Sequence, residues 1–134
     1  MIFRQQKTYS ADSQFFNDYL GELSGFLCQT KVLHWAAQRN STHKYLDELH
    51  DAIGSFQDAI AEGYMGILGK MEPGDVQTYD CDAPDAFSLI DAIIKSTTRF
   101  YAMIPSDIIF KGLTSETESF IQELNKYKYL FGMA

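Results

Sequence analysis

One stretch of this 134-residue chain gathers side chains that bind metals: His43, Asp47, Asp58 and Glu62, with His50 and Asp51 between them and His34 upstream. Imidazole nitrogens and carboxylate oxygens together form a mixed donor set that suits iron better than a soft, thiolate-rich site would. On a helix turning about 100° per residue, with His43 at zero, Asp47 falls near 40°, Asp58 near 60° and Glu62 near 100°, so the four share one face. Leu46, Leu49, Ile53, Phe56 and Ile60 fall between about 220° and 300°, which puts the apolar stripe on a different side.

Asp47 and Asp58 are about 16 Å apart along such a helix, far beyond metal–ligand bonds of roughly 2 Å. One copy of the helix therefore cannot close a single site. Two antiparallel copies about a twofold axis can, because the pairs 43/62 and 47/58 share one midpoint, between residues 52 and 53. The same register brings Asp51 to Gly54 and His50 to Ser55 near the axis, where small residues let backbones approach. A hairpin turning near residue 39 or 40 sets His34 level with about position 45, between His43 and Asp47. The expected site takes His34, His43 and Asp47 from one chain and Asp58 and Glu62 from its partner. A mononuclear centre using all three histidines is disfavoured, since His43 and His50 lie about 10.5 Å apart along the axis.

The elements that must position these residues are legible as stripes. Phe16, Leu20, Leu23, Leu27, Thr30 and Leu33 recur at spacings of three and four and predict a first helix from about residue 12 to 37. Asn40, Ser41 and Thr42 are good cap types ahead of the second helix, which runs to about residue 66. From Gly66 to Ala83 the period lapses, and Pro84 suits the first turn of a third helix carrying Leu89, Ile93, Thr97, Phe100 and Tyr101 as far as Pro105. Gly112 and Ser115, with Glu118 at the capping-box offset, introduce a fourth helix carrying Phe120, Ile121, Leu124, Tyr127 and Leu130. The short first connection demands antiparallel neighbours. The long one can run the length of a bundle, so helices two and three can be parallel. The expected fold is all-α, a ferritin-like four-helix bundle with one long crossover between helices two and three. The Glu-x-x-His pair of classical di-iron bundles is absent from the sequence.

His34-Trp35, His43-x-x-x-Asp47 and Asp58-x-x-x-Glu62 resemble the ferroxidase motif of the Dps (DNA-binding protein from starved cells) branch of the ferritin-like superfamily. The motif resemblance covers residues 30–62; beyond it, helix count and topology alone extend the likeness. It implies iron bound between twofold-related subunits, Fe(II) oxidised by hydrogen peroxide, and ferric product stored in a shell that is usually a dodecamer. The sequence departs from the family in a shorter segment between His34 and His43, and in Gly63 after Glu62, where Arg is common. A second reading stays open: a ferritin-like bundle without turnover, acting as a structural or metal-binding module.

Composition sets the remaining bounds. A chain with 46% hydrophobic and 14% aromatic residues has the makings of one core, and the whole of residues 1–134 is expected to form one domain after a polar lead over 1–11. A net charge of -7 opposes phosphate backbones and favours cations. The lead offers only Arg4 and Lys7 and the sequence shows no basic tail, so DNA binding is not expected. No apolar run suits a signal segment or a membrane span, and a cytoplasmic location is expected. Cys28 and Cys81 are expected as reduced thiols, with Cys28 in the core and Trp35 packed beside the site.

Overall fold

The computed structural model describes residues 13–133. Among them are four long helices, α1 (Gln14–Ala36), α2 (Asn40–Leu68), α3 (Ala86–Met103) and α4 (Lys111–Met133), with a 3-10 turn over Ile108–Phe110. The lead at 1–11 lies outside the described residues. No helix among those described is long and apolar enough to cross a membrane.

The apolar stripes of the sequence form the core. Leu23, Leu49, Ile53, Ile60, Leu89, Ile90, Ile93 and Leu124 retain no exposed surface, and each such aliphatic side chain contributes about 1.5–3 kcal/mol relative to exposure. Aromatic rings close one end, where Phe16 stacks on Tyr64 at 4.7 Å and meets Phe100 edge-on at 5.3 Å. Midway, Phe56 stacks on Phe120 at 4.0 Å. Tyr127 and Phe131 are buried toward the other end.

Contacts fix the topology. Gln57 Nε2 donates to Leu20 O and Ser24 Oγ while Phe16 meets Tyr64, so α1 and α2 are antiparallel. Tyr19 pairs with Thr97 and Gln29 with Ala83 O, so α1 and α3 are antiparallel as well. Tyr45 against Phe131 and Phe56 against Phe120 run α4 antiparallel to α2. The helices α2 and α3 therefore run parallel, diagonally opposite one another, as the long connection allows.

That connection, residues 69–85, leaves α2 at Gly69, whose φ of 100° lies in the left-handed region that a side chain disfavours. It then lies along the outer side of α1, where the Tyr79 N–H donates to Gly21 O at 3.1 Å and the Tyr79 hydroxyl to Asp18 Oδ1 at 3.0 Å. A Cβ at Gly21 or Gly25 would collide with the backbone carbonyl of Gln77 or Tyr79, so glycine at these two positions is what admits the strap.

Three element ends differ from expectation. Asp85, not Pro84, sets the start of α3: its carboxylate accepts the Ser88 N–H at 2.8 Å, and the same bond lowers the Asp85 pKa. The cap for α2 is Arg39, without a side-chain bond, and Asn40, Ser41 and Thr42 all lie inside the helix. The start of α4 is earlier than Ser115 because Phe110 and Leu113 are buried anchors that fix the chain as helix from Lys111. Glu118 reaches across to accept the Tyr101 hydroxyl at 2.6 Å instead of closing a capping box. The end of α3 is as expected, with Ile104 extended (ψ 127°) ahead of Pro105.

Candidate functional site

The hairpin between α1 and α2 turns through Ala37, Gln38 and Arg39, and it leaves carbonyls at the end of α1 in need of donors. His43 supplies one. Its Nδ1 lies 2.9 Å from His34 O, while His34 Nδ1 lies 2.8 Å from His43 O. The two rings stack with centroids 3.8 Å apart and planes 23° from parallel. A carbonyl oxygen can only accept, so each Nδ1 carries a proton, and a ring that binds a metal does so through the Nε2 lone pair. Metal-binding imidazoles are commonly oriented by such a bond from the other ring nitrogen.

Asp47 follows one turn after His43, exposed, with its Oδ1 3.7 Å from Lys31 Nζ on α1. Asp58 and Glu62 are both exposed, further along α2. Among the described residues, no three His, Cys, Asp or Glu side chains come close enough to hold one metal ion. The structure thus brings His34 and His43 together, holds Asp47 beside Lys31, and leaves Asp58 and Glu62 separate on the same chain. At the expected axis, Gly54 is half-buried and a Cβ added there would come no nearer than 3.9 Å to Leu27 Cδ2, while Ser55 is exposed. His50 is half-buried beside Asp51, with Nδ1 3.7 Å from Asp51 Oδ1.

Two expectations for α1 are corrected. Cys28 is exposed rather than in the core, because it falls on the outward side of the helix; Cys28 and Cys81 are both free thiols. Trp35 is 70% exposed and Val32 43%, so the tryptophan stands largely outside the packing of the chain. Together they leave an apolar surface on the C-terminal half of α1, next to the histidine pair.

Two grooves join residues distant in sequence and had no local signal. One, of about 540 Å³, lies between α2 and α4 and is lined by Glu48, Asp51, Glu116 and Glu123 over Phe56 and Tyr127. Burial, and then the negative fields of Glu123, Glu48 and Asp51, pushes the Tyr127 hydroxyl up to about 12. The other, of about 470 Å³, lies among α1, α3 and the crossover. There Glu22 accepts a hydrogen bond from Ser96 and pairs with Arg99 at 3.2 Å.

Comparison with curated proteins and with solved structures gives no match. A family model does match, over residues 34–131, a span that begins at His34 and takes in all five candidate ligands. The chain belongs to that family, a family of unknown function (DUF5856).

Proposed function

We propose that this protein is a Dps-like ferroxidase: it binds Fe(II) at a site shared by two chains, oxidises it with hydrogen peroxide, and stores ferric iron in a homo-oligomeric shell. The observation that carries the reading is the histidine pair. Its reciprocal bonds engage both Nδ1 atoms, which leaves Nε2 as the metal-binding nitrogen of each ring, and His43 lies one turn from Asp47. In the antiparallel register about a twofold axis, Asp58 and Glu62 of a second copy come to the same place. The parallel course of α2 and α3, joined by a long crossover, suits a ferritin-like bundle.

Iron is the substrate. Two Fe(II) ions each give one electron to one peroxide molecule, its O–O bond breaks, and two hydroxide ions result. Delivering both electrons together avoids hydroxyl radical. The three carboxylates are hard oxygen donors and favour Fe(III) once it forms. A net charge of -7 suits a shell that collects cations, with twelve copies as the proposed assembly.

The test is a chain carrying Asp58→Ala with Glu62→Ala. Both side chains are exposed, so the helices should remain, while peroxide-dependent growth of ferric absorbance should vanish. Unchanged oxidation would remove the site. A second reading is a structural or metal-binding module without turnover, for which the hydrogen-bonded histidine pair alone would suffice. Anaerobic Fe(II) binding without subsequent peroxide-driven oxidation would select it.

A further inference from the structure

We propose that Lys31 makes cation binding conditional on subunit pairing, by neutralising Asp47 until the acids of a second copy arrive. This rests on the iron reading above. Lys31 Nζ lies 3.7 Å from Asp47 Oδ1, with the two side chains 38% and 54% exposed. The lysine therefore stands beside one of the three ligands expected from its own chain.

Charge makes the consequence specific. In one chain the ammonium of Lys31 offsets the carboxylate of Asp47, the one anionic group among His34, His43 and Asp47, so the three exert little net pull on a divalent cation. Asp58 and Glu62 of a second copy add two negative charges, which match one Fe(II). A lone chain then holds iron poorly even though its two imidazoles are already oriented, and the paired site holds it well. An exposed ion pair contributes little stability, so Lys31 can swing off Asp47 at small cost when the metal displaces it. The gate is electrostatic and needs no backbone movement.

The test is anaerobic calorimetric titration of Fe(II) into the full chain and into K31Q, K31R, D58A/E62A and K31Q/D58A/E62A, with circular dichroism confirming the helices. Removing one positive charge next to a bound divalent cation should tighten K31Q roughly three- to tenfold at low salt. That gain should shrink as salt rises, since screening weakens exposed charges. K31R should match the unmodified chain. D58A/E62A should lose binding, and adding K31Q to it should restore weak binding at His34, His43 and Asp47. Equal or weaker affinity in K31Q, with D58A/E62A still inactive, would overturn the role of Lys31 and leave the shared site standing. Failure of the unmodified chain to bind Fe(II) would overturn the iron reading and the lysine proposal together.

Discussion

His34 and His43 exchange hydrogen bonds, each ring Nδ1–H donating to the other residue's backbone carbonyl, at 2.8 and 2.9 Å, with the rings stacked at 3.8 Å between centroids. One pair of side chains therefore closes the hairpin and orients two lone pairs. Structure and chemistry are coupled at this point, and substitutions there should register in both.

Replacing either histidine by Ala removes that ring's own bond and the stacking, and leaves the other ring's bond to a backbone carbonyl that Ala retains. Each single variant should lose about 1 kcal/mol in urea denaturation. The double variant should lose less than the sum, because the stacking needs both rings and is lost only once. Strict additivity would mean that the rings do not depend on each other.

The crossover depends on close approach to α1. Gly25→Ala should cost about 1–3 kcal/mol, because the new Cβ meets the Tyr79 carbonyl, which belongs to backbone that cannot simply rotate away. Gly66→Ala is the contrast: that Cβ meets nothing within 4 Å inside α2, so it should stabilise by about 0.5–1 kcal/mol. Thermal melts of the two variants that moved in the same direction would contradict the packing described for the strap.

Tyr127 gives a pH signature. Its pKa is raised in the folded chain to about 12, first by burial and then by Glu123, Glu48 and Asp51, from a reference of 10.0. The unfolded chain loses this proton first, so the contribution to stability is complete below about pH 10 and is lost as pH rises toward 12. Urea denaturation across that window should show a smaller decline for Tyr127→Phe than for the unmodified chain. Equal declines would rule the group out as a contributor.

Much of the architecture is legible in the sequence because burial imposes a period. Leu46, Leu49, Ile53, Phe56 and Ile60 form one stripe and are all buried, while Asp47, Asp58 and Glu62 fall on another side of α2 and are exposed. The parallel course of α2 and α3 is one that the length of the connection allows, and contacts with α1 and α4 fix it. What escapes a sequence reading depends on contacts between segments far apart in the chain. The start of α4 follows Phe110 and Leu113 into the core and overrides the local cap signal at Ser115. Gly21 and Gly25 carry no periodic mark, since their role is to accept a strap some 50 residues later in sequence. At the site, helical rise alone sets His34 level with a point between His43 and Asp47. The tighter turn sets it directly against His43 and leaves Asp47 to Lys31. Cys28 misleads because a three-four spacing admits residues at the edge of a stripe, and it lies beyond that edge.

The proposed site draws on two chains, and subunit complementation separates that arrangement from a site confined to one chain. His43→Ala chains lack an imidazole but keep Asp58 and Glu62; Asp58→Ala/Glu62→Ala chains lack the acids but keep His34, His43 and Asp47. Each variant alone should fail to bind Fe(II) in anaerobic titration. Mixed by co-refolding, with mixed pairs verified by native mass spectrometry, they should regain one intact site per mixed pair. Verified mixed pairs that still bind no Fe(II) would contradict the shared site, as would full binding by either variant alone.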